Sequence, residues 1–105
     1  MELIIYLLAA HWLCDYPLQG EFLSRAKQHG PLRRYHLIAH SGIHGGAVAL
    51  ILSNPFLGLA EWFVHAVTDE LKIRDKISFQ TDQLIHIMCK ITWWIIYLWL
   101  ASFNA

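Results

Sequence analysis

Hydrophobic residues along the chain gather into four long segments separated by three polar connections. The segments cover residues 3–18, 36–52, 55–72 and 79–103. Each reaches, or falls just short of, the roughly 17 to 25 residues that a helix needs to cross a bilayer. Pro55 opens the third segment, and proline is tolerated in the first turn of a helix because its missing N–H is not needed there. The pattern predicts an all-α protein of four helices.

The composition favours a membrane environment for this single domain, residues 1–105. Hydrophobic residues make up 56% of the chain, and five residues are tryptophan. A chain of 105 residues buries only a small core in water. The formal net charge is zero, which argues against a nucleic-acid partner because such domains carry a basic excess. We therefore expect a four-helix transmembrane bundle with the lipid bilayer as its partner.

Basic residues lie almost entirely on one side of this bundle. In an up-down-up-down order, the first and third connections lie on one side, and the short Ser53-Asn54 connection lies with both termini on the other. The first side carries seven of the eight Lys and Arg residues: Arg25, Lys27, Arg33, Arg34, Lys72, Arg74 and Lys76. The positive-inside rule places that side in the cytoplasm and both termini outside.

Histidines and aspartates recur four residues apart in every segment. Residues at this spacing share one face of a helix, so both side chains of a pair can point at the same region. The topology places all four pairs at one depth near the cytoplasmic end of the bundle, although the charge argument made no use of histidine. The pairs are His11 with Asp15, His40 with His44, His65 with Asp69, and Asp82 with His86.

These five histidines and three aspartates predict a metal centre inside the bundle. Ionisable residues in membrane helices are costly and usually mark a functional site. Nitrogen and oxygen ligands suit divalent transition metals such as zinc, manganese or iron. Eight ligands are too many for one tetrahedral ion and suit two ions, as in di-metal bundles. We therefore expect all eight residues to be metal ligands.

The same residues suggest hydrolysis of a phosphoester or related bond. Two ions would polarise the bond under attack and activate water, while an aspartate bridges them or accepts a proton. Lys72, one turn after Asp69, would hold an anionic, phosphate-containing substrate or extend to the interface. Gln19 and Gln83 adjoin the pairs and would orient ligands. The predicted catalytic residues are Asp15, Asp69, Asp82 and Lys72.

A GxxxG motif, Gly42 with Gly46, lies on the second segment about opposite His40 and His44. Small residues at this spacing let helices approach closely in membranes. This face can meet another helix of the bundle or a second subunit, so a homo-oligomer is one expectation.

Three other interpretations of the His/Asp pairs stay open: simple polar contacts, a non-enzymatic membrane protein, and a soluble di-metal bundle. Such pairs are often simple polar contacts between helices, and a non-enzymatic protein would use the metal structurally, as a metal or proton conduit or as a phage-encoded modulator of a host membrane complex. A conduit needs a polar path through the outer half, which the sequence indicates to be almost wholly apolar apart from Lys90. A soluble di-metal bundle that dimerises through its aromatic last segment is the third.

The combination of the four motifs, at residues 11–19, 40–44, 65–72 and 82–86, resembles a known family. Over nearly its whole length the chain resembles domain-of-unknown-function family 3307, which comprises small bacterial and phage membrane proteins. This resemblance implies a multi-pass protein of the bacterial inner (plasma) membrane and says little about a reaction. More weakly, the HxxxD and paired-histidine motifs are similar to those of membrane-bound metal-dependent hydrolases, which implies hydrolysis.

Overall fold

Each of the four hydrophobic segments forms a helix. A computed structural model describes residues 2–15, 25 and 27–103. We number the helices in chain order: α1 Glu2–Asp15, α2 Arg33–Leu52, α3 Pro55–Ile73 and α4 Phe79–Ser102. None of the described residues lies in a strand. The prediction of an all-α protein with four helices is therefore confirmed.

The helix ends lie close to the segment boundaries. The α2 helix begins at Arg33, three residues before the predicted start at residue 36. The α3 and α4 helices end within one residue of their predicted ends. The predicted end of the first helix at residue 18, and the suggested orienting residue Gln19, lie outside the described residues.

The connection between α2 and α3 is a two-residue turn, and its sequence explains it. Ser53 ends α2 in the left-handed conformation, with φ 50°. Asn54 caps α3, because its Oδ1 accepts hydrogen bonds from the backbone N–H groups of Phe56 and Leu57 at 3.0 and 3.2 Å. Pro55 occupies the first turn of α3, as predicted. A cap followed by proline starts the new helix at once, and the chain reverses direction.

The four helices form a closed ring with antiparallel neighbours. The main contacts join α1 with α2, α2 with α3, α3 with α4, and α4 with α1. On α2 and α3, Trp62 donates its indole N–H to the carbonyl of Ile38 at 3.0 Å, while Gly58 lies against Gly45. Residue numbers therefore fall along α3 as they rise along α2. This is the up-down-up-down order that the sequence predicts.

An apolar core fills the end of the bundle that carries the α2–α3 turn. Its buried members are Leu7, Val48, Leu52 and Leu57. Polar side chains fill the interior beyond it. Among the described residues that are buried, twelve are polar or charged and only six are hydrophobic. The interior of this bundle is therefore mostly polar, which is the reverse of an ordinary water-soluble core.

Within the described part of the chain, two helices, α2 and α4, are long and apolar enough to cross a membrane. Core helices of soluble proteins and signal sequences share these properties, so length and composition alone do not decide the matter. Four spans and the orientation of the termini stay predictions.

Glycines bring α2 and α3 close together, but they are not the predicted pair. A Cβ at Gly45 would lie 2.7 Å from the carbonyl oxygen of Gly58, and a Cβ at Gly58 would lie 2.5 Å from the Cβ of Ala49. A Cβ at Gly42 would meet the ring of Trp62, whereas one at Gly46 would meet no described atom within 4 Å. A second subunit on the Gly42/Gly46 face stays a prediction.

We expect Gly58→Ala to destabilise the bundle, with Gly46→Ala as the matched control. The methyl group at position 58 would overlap Ala49, and overpacking of this kind costs about 1–3 kcal/mol. At position 46 the methyl group enters open space, and alanine favours a helix over glycine by about 1 kcal/mol. The measurement is the thermal unfolding midpoint by circular dichroism. Equal midpoints for the two variants would contradict the α2–α3 packing.

Candidate metal centre

Histidines from all four helices meet inside the bundle. The five residues His11, His40, His44, His65 and His86 are 0–1% exposed. His65 lies in the middle, with its ring stacked on His44 and His86 at centroid distances of 3.8 and 4.0 Å. The rings of His40 and His11 lie 5.2 and 6.3 Å from it. The structure therefore brings together the five histidines that the sequence singled out.

Asp15, at the end of α1, faces the two histidines of α2. Its Oδ1 lies 3.0 Å from Nε2 of His44 and 3.5 Å from Nε2 of His40. Its Oδ2 lies 3.4 Å from Nε2 of His11, its own i−4 neighbour. The carboxylate is 15% exposed, so this edge of the cluster reaches the surface.

Asp69 is the carboxylate that contacts histidines of three different helices. Its Oδ1 lies 3.3 Å from Nε2 of His86, and its Oδ2 lies 3.4 and 3.6 Å from Nε2 of His40 and of His65. The buried Lys27 also donates to Oδ2, at 2.9 Å. In the sequence, Lys27 served only as a topology signal. Its contact with Asp69 was not predicted and joins residues 42 positions apart.

Asp82 and Gln83 connect α4 to α1. Oδ1 of Asp82 lies 3.2 Å from Nε2 of His86. Gln83 donates its amide N–H groups to Asp82 and to Asp15, at 3.3 Å each, and its Oε1 lies 3.1 Å from Nε2 of His11. Gln83 thus links both carboxylates and a histidine, which is the arrangement expected of a residue that orients ligands.

A fourth carboxylate of the cluster, from Glu61, is buried and is not among the residues that the sequence singled out. It lies one turn before His65 and pairs with Lys90 at 2.9 Å. Glu61 is therefore a second ionisable residue in the half of the bundle that the sequence indicates to be almost wholly apolar apart from Lys90. Glu61 and His65 have the same i, i+4 spacing as the other pairs, so the sequence did contain a signal for Glu61. The search for pairs at this spacing covered only histidine and aspartate.

Several ligand-type atoms are buried without a hydrogen bond in the described part of the chain. They include both ring nitrogens of His40, Nε2 of His65 and Oδ1 of Asp82. Buried polar atoms normally have a partner. A cation bound among these nitrogen and oxygen atoms would supply one.

Three sets of side chains have ligand atoms within 4.8 Å of one another and could hold metal ions. The sets are Asp15, His40, His44 and His65; Asp69, Asp82 and His86; and Glu61, His65 and His86. The first two share no residue and together contain seven of the eight predicted ligands. His11 belongs to none of the three among the described residues, so its role as a ligand stays a prediction.

The charges of the buried cluster also favour a cation. Four carboxylates, from Asp15, Glu61, Asp69 and Asp82, face two ammonium groups, from Lys27 and Lys90. Lys27 pairs with Asp69 and Lys90 with Glu61, whereas the partners of Asp82 among the described residues are His86 and Gln83. Uncompensated charge in a bundle interior is costly, so divalent ions or protonated histidines would stabilise the cluster.

A cavity of about 470 Å³ lies next to Asp69, at the end of the bundle opposite the apolar core. Its lining includes Lys27, Lys72 and Phe79. The ammonium of Lys72 lies 5.1 Å from the centre of the Phe79 ring, as in a cation–π contact. The structure thus places Lys72 beside the cavity, while its catalytic role stays a prediction.

Comparison of the sequence with known families gives one match. A family described as "Protein of unknown function (DUF3307)" matches residues 3–104. The chain belongs to this family. The DUF3307 match confirms the resemblance that the four motifs predicted. No curated protein and no solved structure matches the chain, so the weaker resemblance to membrane-bound hydrolases gains no support from them. For this DUF3307 protein, function has to be argued from the geometry of the cluster.

Proposed function

We propose that this protein is a membrane-embedded, metal-dependent hydrolase that acts on a phosphoester or related bond at the cytoplasmic face. One observation carries the proposal: buried imidazoles and carboxylates from four helices meet in a bundle whose outer surface is apolar. Ionisable groups facing the interior of a membrane bundle usually mark a functional site.

The surface supports a lipid environment. Large hydrophobic side chains are exposed on every helix, and the most exposed are Leu50 at 82%, Phe56 at 79% and Phe63 at 71%. Water-soluble monomers rarely expose apolar patches that are continuous over more than a few hundred Å². A soluble bundle that dimerised through the aromatic part of α4 would cover that region and leave Leu50, Phe56 and Phe63 in water. We therefore favour the bilayer over a soluble dimer.

The charge distribution supports an inward-facing site. Basic residues of the first and third connections lie at the end of the bundle that holds Asp69 and the cavity, among them Arg33, Lys72 and Arg74. The positive-inside rule assigns this end to the cytoplasm, with both termini outside. Substrate would then reach the centre from the cytoplasmic interface of the bacterial inner membrane.

Two divalent ions fit the donor sets better than one. The Asp15 set and the Asp69 set share no residue, and mixed imidazole and carboxylate ligands suit zinc, manganese or iron. Such ions would polarise the bond under attack and activate water. Asp69 reaches histidines of three helices, so among the three aspartates it is the best placed to bridge the ions.

The cavity gives the proposed substrate a place beside the ions. It adjoins Asp69 and is lined by the cationic side chains of Lys27 and Lys72. Lys27 already pairs with Asp69, which leaves Lys72 to bind an anionic group. A phosphate placed there would lie next to a metal-binding carboxylate, as a hydrolase requires.

The alternative is a non-enzymatic membrane protein that uses the metal to hold its helices together. It is favoured by the burial of the histidines, which are 0–1% exposed and so hard for a substrate to reach. A conduit through the bundle is less consistent with the structure, because the apolar residues Leu7, Val48, Leu52 and Leu57 close the opposite end. A modulator of a host membrane complex would need no such path.

We expect the protein to stay with membranes after an alkaline carbonate wash and to need detergent for extraction. The physical reason is the apolar surface on all four helices, which would otherwise lie in water. The measurement is the fraction of the protein in the pellet. A protein that stays soluble and monomeric without detergent would contradict membrane embedding.

We expect the detergent-purified protein to hold about two equivalents of transition metal, and Asp69→Asn to lose at least one. The amide keeps the size of the side chain but removes the negative charge that the ions need. Glu70→Gln is the matched control, because Glu70 is the next residue and pairs with Arg33 and Arg74 outside the cluster. The measurement is elemental analysis. Metal-free protein with an intact fold, or equal metal content in both variants, would contradict the metal centre.

We expect metal-loaded protein to hydrolyse bis(p-nitrophenyl) phosphate, and Lys72→Met to raise KM about tenfold or more through loss of a charged contact. Lys76→Met is the control, because Lys76 is exposed and does not line the cavity. Steady-state kinetics measure the effect, with metal content checked in each variant. Full metal occupancy with no hydrolysis of phosphomonoesters or phosphodiesters would favour the structural alternative.

A further inference from the structure

Glu61 and Lys90 form a buried ion pair away from the substrate cavity, and Glu61 also belongs to the third set of possible ligands, with His65 and His86. Both residues are 1% exposed, on α3 and α4. Lys90 donates to Oε2 of Glu61 at 2.9 Å, and the indole N–H of Trp93 donates to Oε1 at 2.9 Å. Each carboxylate oxygen therefore has a donor, which is how a buried carboxylate is stabilised in its charged form.

A third group reaches the same carboxylate. Nδ1 of His65 lies 2.9 Å from Oε2 of Glu61. A carboxylate held by an ammonium and an indole N–H has no proton to give, so the hydrogen of this contact belongs to the imidazole. His65 then carries its proton on Nδ1, and Nε2 is left with a free lone pair.

That lone pair points into the cluster. Nε2 of His65 lies 3.6 Å from Oδ2 of Asp69 and is buried without a hydrogen bond among the described residues. His65 is also a member of the four-residue set with Asp15, His40 and His44. A histidine that binds a metal through one nitrogen usually donates the other N–H to a carboxylate or carbonyl, which fixes its tautomer and ring orientation.

We propose that Glu61 is a positioning residue that holds His65 in the Nδ1–H tautomer, so that Nε2 is presented to a metal ion, while Lys90 and Trp93 hold the Glu61 carboxylate in place. The proposal rests on the metal centre proposed above. It assigns a role to the three residues that lie between the histidine cluster and the apolar core.

Two other roles for Glu61 fit less well. As a metal ligand itself it would place a cation beside the ammonium of Lys90, which already lies 2.9 Å from Oε2, and the two positive charges would repel each other. As a purely structural ion pair it would need no contact with His65, and buried ion pairs contribute little net stability compared with apolar side chains of similar size.

The test uses two double variants, because either single change would leave a buried charge unpaired. Glu61→Leu with Lys90→Met removes the acceptor for His65 and the charge together. Glu61→Gln with Lys90→Met also removes the charge but keeps a side-chain oxygen that accepts the Nδ1–H. Comparison of the two double variants separates the effect of losing the hydrogen bond to His65 from the effect of losing the Glu61–Lys90 ion pair.

The first measurement is the tautomer of His65 in metal-free protein in detergent, from the ring ¹⁵N chemical shifts. We expect the Nδ1–H tautomer in the unchanged protein, a mixed population in the leucine variant and recovery in the glutamine variant. This result does not depend on metal binding, so it tests the role of Glu61 even if the proposed metal centre fails. An Nε2–H tautomer in the unchanged protein would overturn the inference, whether or not the variants fold.

The second measurement is zinc affinity, from competition with a chelator. We expect the leucine variant to bind zinc about 10- to 100-fold more weakly, with the same number of ions at saturation, and the glutamine variant to recover part of the loss. Loss of one ion at saturation would make Glu61 a ligand and overturn the inference. Unchanged tautomer and affinity in a folded leucine variant would show that the pair is only structural.

Discussion

Burial of charge is the constraint on which this bundle depends. Three carboxylates and two lysines lie with five imidazoles in an interior that solvent hardly reaches, and Asp15 adds a fourth carboxylate at its edge. Each lysine is matched to a carboxylate, Lys27 to Asp69 and Lys90 to Glu61, at 2.9 Å in both cases. Because the helices turn these groups inward, large hydrophobic side chains are left exposed on every helix. The polar interior and the exposed hydrophobic side chains therefore both follow from the orientation of the helices.

The sequence could predict the helices and the convergence of the pairs because both follow from local spacing. A few neighbouring residues are enough to recognise a hydrophobic segment, the Asn54 cap or Pro55. Residues at i and i+4 share a face in any helix. With antiparallel order, the depth of each pair follows from its position along the segment. No side-chain contact had to be known in advance.

The contacts that the sequence missed are set by packing between helices. Lys27 comes from a connection and reaches Asp69, 42 residues away, which no local pattern indicates. The close approach of α2 and α3 depends on Gly45 facing Gly58, whereas GxxxG describes one helix alone. Glu61 is different. Its i, i+4 spacing from His65 is visible in the sequence, but the role of Glu61 depends on its contacts with Lys90 and Trp93, which lie on another helix.

The distribution of the ligands along the chain has a consequence for biosynthesis. The two-residue turn and the glycine contact can bring α2 and α3 together as soon as both helices have emerged from the ribosome. Asp82 and His86, however, lie on α4, which follows the other three helices along the chain, and Gln83 of α4 links the cluster back to α1. Until α4 joins the ring, the carboxylates and imidazoles of the earlier helices lack part of their partners. The cluster is therefore incomplete until α4 packs against α1 and α3.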